Sequence, residues 1–464
     1  MNESSTFSPA ATGHAPQSLV SINQPPARSN FDAHHAPERG VMDACVHCGF
    51  CLPACPTYQL WGDEMDSPRG RIWLMRKAST GDAPLDNTFQ THIDQCLGCM
   101  SCMTACPSGV EYNKLIEDTR GQVERNIPRT LADRLFRKLL FATFPHPARL
   151  RMLAVPLGLY QRSGLQTFVR RSGVLKLLPK RLAAMEQLLP RVPRRTQAHM
   201  TATPPATRGR VAMLTGCVQD AFFRPVNEAT ERVLRAAGYE VIVPQGQGCC
   251  GALLVHSGYD TDAEAYARRM IATMEEANPD IIAINAAGCG STMKEYGHLL
   301  RDDPAWAARA QAFSAKCRDI SELIEPLAGE LPYSALPLRI AYHDACHLRH
   351  AQGIYAQPRE VLAQIPQLEI AEIADAHLCC GSAGVYNLLF PETAAELGAR
   401  KAENVLATGA QALVSANPGC LLQLQNALRA RGEQPLPTFH TVEILDAALR
   451  GVSADELLAS KRIQ

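Results

Sequence analysis

Three things are missing from this chain of 464 residues, and each absence removes a class of function: net charge, a long apolar run and a secretory start. Lys plus Arg and Asp plus Glu number 46 each, so no field of one sign covers the whole molecule. The longest apolar stretches, such as Met152 to Tyr160, fall well short of the roughly 18–20 residues a membrane span requires. The chain is therefore not expected to cross a bilayer. Its first residues, MNESSTFSPAATG, lack the basic start and apolar core of a secretory signal. Cysteine is abundant, but an odd count of 17 in so long a chain argues against a disulfide framework. A reducing compartment, most simply the cytoplasm, is expected.

Eight of the cysteines form two runs of one pattern, Cys45-x2-Cys48-x2-Cys51-x3-Cys55-Pro56 and Cys96-x2-Cys99-x2-Cys102-x3-Cys106-Pro107. A cubane iron-sulfur cluster needs four converging thiolates, and two-residue spacers let three sulfurs of one tight loop reach one cube while the fourth comes from the other run. The crossed sets are then Cys45, Cys48, Cys51 and Cys106 for a first [4Fe-4S] cluster, and Cys96, Cys99, Cys102 and Cys55 for a second. The proline after each fourth cysteine turns the chain away, because it cannot donate a backbone hydrogen bond or continue a preceding helix. A zinc ribbon fits less well, since a tetrahedral zinc ion is satisfied by two Cys-x2-Cys pairs. Two neighbouring cubanes make an electron relay.

The remainder divides by composition. Residues 1–38, rich in Ser, Pro, Ala, Asn and His, read as a disordered extension. Residues 39–120 form the two-cluster module, with an insertion in which Ser67-Pro68-Arg69-Gly70-Arg71 leads into a helix over Ile72–Ala78. Residues 121–190 read as basic, Leu-rich helices broken at Pro145, Pro147, Pro156, Pro179 and Pro190, and 191–209 as a Pro-rich linker. From Lys114 to Arg210 there are 20 basic and 5 acidic residues, a local net of +15 that the rest must offset. Such a segment steers an acidic partner, lies against anionic phospholipid or is simply solvated. It carries no nucleic-acid reading motif.

Residues 210–330 and 331–464 repeat each other. Cys217, Cys249-Cys250-Gly251 and Cys289 in the first copy match Cys346, Cys379-Cys380-Gly381 and Cys420 in the second. The intervals are 32 against 33 residues and 39 against 40. Each lone cysteine follows an apolar run (Val211–Leu214, Ile281–Ile284, Leu338–Tyr342, Ala412–Val414), and helical segments such as 227–237, 262–276 and 393–407 alternate with these runs. This is an α/β pattern with parallel strands, in which ligands gather at the carboxyl ends of strands. Four thiols per copy are thus candidates for additional metal or cluster sites, whereas Cys317 reads as an ordinary buried cysteine. Gly246-x-Gly248-x-x-Gly251 formally matches a dinucleotide fingerprint, but the GALLVHSG that follows is not an obvious helix and the second copy lacks the first two glycines. His343, His347 and His350 surround Cys346; His343 or His347 is a metal ligand or proton carrier, or all are structural or solvated residues at a strand end, and His440 has the same alternatives.

The stretches ACVHCGFCLPACPTYQLWGDEMDSPRGRI, CLGCMSCMTACPSGVEY, GCCGA, AAGCGSTMKEYG, HLCCGSAGVYNL and ANPGC resemble the iron-sulfur subunit family of glycolate oxidase from about residue 40 to the C-terminus. The resemblance implies an α+β multidomain fold: an α-helical two-cluster ferredoxin-like domain followed by two α/β CCG domains like those of heterodisulfide reductase. It also implies an electron-transfer subunit of a glycolate dehydrogenase complex, cytoplasmic and peripherally associated with the inner membrane. Two partner subunits would carry FAD and oxidise glycolate to glyoxylate, and this chain, inactive on glycolate alone, would pass electrons to a quinone or other acceptor. Related implications are a subunit of an anaerobic glycerol-3-phosphate or lactate dehydrogenase, or a CCG-domain disulfide or quinone reductase. The heterodisulfide reductase motif ends in Cys-x2-Cys. Here Thr292 and Gln423 stand at the last position, leaving four cysteines per copy for a cubane, a zinc ion or an empty site.

Overall fold

The computed structural model describes residues 29–193, 206–431 and 436–462. Residues 1–28 of the expected disordered extension and 194–205 of the expected linker lie outside the described residues. The end of that extension departs from expectation. Residues 29–38 pack against the helical module because Phe31 is buried edge-on to Phe89, and Asp32 accepts hydrogen bonds from Arg125, Asn126 and Gln122.

The N-terminal module is all helical: Arg39–Asp43, Pro56–Trp61, Pro68–Ser79, Asn87–Gln95, Ser101–Thr104 and Tyr112–Asn126. Its starts follow local chemistry. Ser67 accepts from the Gly70 amide with Pro68 at the first helical position, and Asp86 accepts from the amides of Thr88 and Phe89. The expected 72–78 helix is therefore the latter part of a longer one, nucleated by its cap.

The basic region folds into Leu131–Thr143, Pro147–Arg162, Leu165–Arg171 and Lys180–Gln187. Pro145 and Pro147 fall at a break and Pro179 caps the last helix, but Pro156 lies inside Pro147–Arg162 and does not end it. The helix face around it is largely exposed, so the carbonyl that loses its amide partner can be solvated.

The repeats form two parallel four-stranded sheets of one topology. Strands β1 (Arg210–Met213), β2 (Glu240–Ile242), β3 (Ile281–Ile284) and β4 (Cys317–Asp319) are ordered β2-β1-β3-β4. Strands β5 (Leu338–His343), β6 (Leu368–Glu372), β7 (Ala412–Ser415) and β8 (Thr438–His440) are ordered β6-β5-β7-β8. One face of each sheet contributes to a shared core containing Val211, Met213, Ile340, Tyr342 and Val414, reinforced by the buried Arg232–Asp446 ion pair at 2.6 Å. No helix among the described residues is long and apolar enough to cross a membrane.

Candidate functional site: two cysteine runs and a paired cysteine centre

The two cysteine runs share one loop conformation. His47 and Gly49 in the first, and Gly98 and Met100 in the second, all have left-handed backbone at equivalent positions. This curls each loop around the space its sulfurs face. The Gly98 amide donates to Cys96 Sγ at 3.3 Å, and a Cβ at Gly98 would stand 3.1 Å from the Arg120 guanidinium. His47 and Met100 occupy the same region without glycine's freedom, a strain of the kind that accumulates at functional loops.

The sets of thiols differ in burial. Cys55, Cys96, Cys99 and Cys102 are buried, Cys45, Cys51 and Cys106 half-buried, and Cys48 exposed. Burial, followed by the charges of Cys99, Cys96 and Cys55, pushes the Cys102 thiol well above its usual range, and burial pushes Cys51 up to about 11. Thiols so crowded and desolvated favour a cation that takes their protons' place. Cys55 electrostatically neighbours Cys99 and Cys102 of the second run as well as Cys51 of its own, and Cys45, Cys51 and Cys106 pack against the core that contains Cys96 and Cys102. The two runs bring crowded thiols together, and bound iron-sulfur clusters would use such thiolates for one-electron transfer.

The insertion between the runs holds both loops. Arg69 donates to the His47 carbonyl at 3.0 Å and pairs with Glu64; Arg76 donates to the carbonyls of Met42 and Cys45 at 2.7 and 3.2 Å. Arg71 is only 1% exposed. It pairs with Asp66 at 3.0 Å and donates to the His92 carbonyl at 2.6 Å and to Thr57 at 3.2 Å, whose hydroxyl is 3.2 Å from Cys55 Sγ. A fixed cation thus sits beside Cys55 and the second run. The motif Ser67–Arg71 was visible in the sequence, but its role required knowing where the helix docks.

In the repeats, Cys217, Cys249-Cys250 and Cys289 lie just beyond the carboxyl ends of β1, β2 and β3, and Cys346, Cys379-Cys380 and Cys420 beyond β5, β6 and β7. The sulfurs of Cys217 and Cys249 are 3.6 Å apart, and those of Cys346 and Cys379 3.9 Å. Cys250 is held well below the usual thiol range by hydrogen bonds from Cys249 and Cys289. Cys346 is pushed up by its bond to Cys379 and by burial. The amides of Gly251 and Gly381 each donate to the first sulfur of their pair at 3.4 Å. Glycine is required at 381, where a Cβ would come within 2.7 Å of the Ala394 carbonyl. Gly251 opens a four-residue helix, Ala252–Val255, within the stretch not expected to be helical. Four residues do not make the long phosphate-facing helix of a dinucleotide site.

The repeats meet at their cysteines. The Ala287 amide donates to the Ala416 carbonyl at 3.2 Å and Gln352 to the Ala287 carbonyl at 3.0 Å, joining the turns that carry Cys289 and Cys420. Seven of the eight repeat cysteines, all but Cys380, line one cavity of about 450 Å³. Leu150, Leu157, Met185 and Leu188 of the basic helices roof it, a convergence that periodicity alone did not reveal. His256 and His347 also line it, with ring centres 4.7 Å apart. The second run reaches the same place. Cys99 shares a buried cluster with Cys346 and Cys379, Thr104 meets His350 at 2.8 Å, and His350 meets the His377 carbonyl at 2.9 Å. Arg120 donates to the carbonyls of both Cys96 and His256.

His440, which the sequence left ambiguous, acquires a structural role. His440 caps the helix Thr441–Leu449: its Nδ1 accepts from the Val442 amide at 3.2 Å while Glu443 accepts from the His440 amide. Asp319 does the same after β4, so this pair belongs to the repeated scaffold. Gln423 donates to the Ala394 carbonyl and accepts from Asn387, and is fully engaged in packing. Cys317 is buried apart from the other thiols, against the Phe313 carbonyl.

Comparison with known proteins agrees with this arrangement. Residues 41–110 match the 4Fe-4S dicluster domain, 132–189 the linker region of the glycolate oxidase iron-sulfur subunit, and 211–294 and 340–425 the cysteine-rich domain. The chain is 41% identical over 403 residues to the probable glycolate oxidase iron-sulfur subunit of Bacillus subtilis (strain 168), covering 85% of this chain and 91% of that one. It is 36% identical over 416 residues to the glycolate oxidase iron-sulfur subunit of Escherichia coli (strain K12), covering 88% and 94%. A lactate utilization protein A from Exiguobacterium sp. is 31% identical over 241 residues, 52% of this chain and 98% of that one. With its dicluster module, linker and paired cysteine-rich repeats all accounted for, the chain belongs to the family of glycolate oxidase iron-sulfur subunits.

Proposed function

We propose that this chain is the electron-transfer subunit of a glycolate dehydrogenase. It takes electrons one at a time from FAD on partner subunits, passes them through two [4Fe-4S] clusters held by the crossed cysteine sets, and delivers them toward a quinone or other acceptor. The observation that carries this reading is the burial of Cys99 against Cys346 and Cys379, which makes the second run an internal contact between the dicluster module and the repeats. The chain's own residues supply the thiolates, the loop amides and the fixed cations. The clusters, when bound, supply one-electron redox chemistry.

Peripheral membrane contact is part of the proposal. The basic helices expose Met152, Val155, Leu159, Phe168 and Leu177 beside Arg151, Arg162 and Arg171, a composition suited to an anionic lipid surface. The domain limits at 39, 121, 191, 210 and 331 are proposed on the same footing. The test is co-purification with native partners, flavin analysis and a glycolate-dependent dye-reduction assay. Glycolate-dependent reduction by the complex and none by this chain alone is expected; a complex without flavin overturns the proposal. The lactate utilization relative favours lactate as a second substrate reading, which the same assay separates.

A further inference from the structure

The two repeats are matched in fold but not in the chemistry around their thiols. His343, Cys380 and Cys420 each offer a ligand atom, all within 4.8 Å of one another, and all three side chains are buried. His343 ends β5 and is 2% exposed, and its Nδ1 is buried without a hydrogen-bond partner. A buried imidazole nitrogen left unpaired is destabilising unless something binds it. The first copy has no equivalent. Counting three residues back from the leading cysteine, as His343 stands from Cys346, leads from Cys217 to Leu214, which is buried in an apolar cluster.

A second difference points the same way. Lys401 is 3% exposed and its ammonium donates to the Asp375 carbonyl; burial moves its pKa below the usual lysine range, and the charges of Cys380 and Cys379 are the first to oppose that. A buried ammonium is stable where negative charge is close, and ionised thiolates supply it. The corresponding helix of the first copy, Asp260–Ala277, buries Met270 and Ile271 at this level. At these two positions the second copy thus carries a buried imidazole and a buried ammonium where the first has Leu214 and Ile271.

We infer that His343 is a metal ligand with Cys380 and Cys420, giving the second repeat a mixed nitrogen–sulfur site for a thiophilic d-block cation. The cation is a zinc ion or an iron, the latter alone or as a corner of a cluster. Imidazole and thiolate together suit these ions, and alkaline-earth cations are excluded by the absence of oxygen donors from the set. A neutral imidazole also leaves less negative charge to bury than a thiolate at the same corner. This inference rests on the repeat thiols being metal ligands and is independent of which flavoprotein donates electrons.

The test uses the full chain purified anaerobically, with zinc and iron counted per chain and X-ray absorption recorded at the edge of whichever metal is present. His343→Leu is the informative variant because leucine already stands at the matching position of the first repeat, so the fold has a precedent for it. Wild type is expected to show a nitrogen scatterer alongside sulfur, and His343→Leu to lose that scatterer and at least half of the metal held by the repeats. His343→Cys is expected to keep the metal with sulfur in place of nitrogen. Leu214→Ala, in the first copy, is expected to change neither. Unchanged metal content and an unchanged nitrogen signal in His343→Leu would overturn the inference, as would repeats that hold no zinc or iron in wild type. Dye reduction by the assembled complex, measured in parallel, reports separately on the electron-transfer role.

Discussion

The two cysteine runs have the same spacing and the same loop geometry, yet one faces solvent and the other faces the interior. In the first, Cys48 is exposed and is flanked by Val46 and Phe50, 69% and 65% exposed. In the second, Cys96, Cys99 and Cys102 are all buried, and Cys99 lies against the second repeat. Identical ligand chemistry is thus placed in unlike surroundings, and burial and nearby charge are what set cluster potentials. The difference gives the proposed relay a direction: entry where apolar side chains surround an exposed loop, and exit where the loop is sealed against the repeats.

The largest effect that can break this comparison comes from the buried run. Cys99→Ser should abolish glycolate-driven reduction of the acceptor, a loss of at least about 100-fold, or about 2.7 kcal/mol of barrier. Reduction of the cluster held by the first run should survive, as followed by electron paramagnetic resonance. Equal loss of both signals would mean that the runs do not act in series.

Next are the arginines of the insertion. Arg71→Gln removes the guanidinium from buried Asp66, leaving His92 at 3.0 Å as its neighbour, and should destabilise the protein by about 2–4 kcal/mol in denaturant titrations. Losing this cation should also lower the reduction potential of the neighbouring cluster, because positive charge favours the more negative reduced state. Arg69→Gln removes a largely solvated pair with Glu64 and should cost less than about 1 kcal/mol. If the two substitutions behave alike, the contrast in burial is not what distinguishes the runs.

A smaller effect sharpens the entry side. Phe50→Glu should leave stability within about 0.5 kcal/mol of wild type. It should raise the concentration of partner flavoprotein needed for half-maximal transfer about tenfold, the equivalent of about 1.4 kcal/mol. Unchanged partner dependence would move the docking face elsewhere.

A pH-dependent effect lies in the scaffold. Burial holds the His440 imidazole down to about 4, and its Nδ1 must stay unprotonated to accept from the Val442 amide. Below the unfolded value of about 6.5 the unfolded chain takes up a proton that the folded chain refuses. This contribution is therefore complete above about pH 6.5 and is lost as pH falls toward 4, by about 1.4 kcal/mol per unit. His440→Asn, which can still cap, should show a flatter acid profile than wild type in thermal melts.

What the sequence revealed and what it withheld follow from how each feature is encoded. The two cysteine runs, the registered repeat and the strands before each lone cysteine are written as spacings along the chain, and all were legible. The seating of Cys99 on Cys346, the leucine roof over the cavity and the docking of Arg71 depend on which faces meet, and helical periodicity shows only that a face is apolar. Residues 29–38 were misread because their order comes from partners far along the chain, Arg125 and Gln122 among them. His440 was ambiguous because a capping imidazole and a ligating one look alike in sequence; the acidic residue three positions on was the available clue.

The relay from exposed to buried run is tested most directly by anaerobic electron paramagnetic resonance of the assembled complex after addition of glycolate, with iron counted in the same sample. The account predicts about eight irons from the two runs, beyond any held by the repeats, and signals from two magnetically interacting reduced clusters. Glycolate oxidised while both runs stay oxidised, or a colourless protein after anaerobic reconstitution, would contradict it.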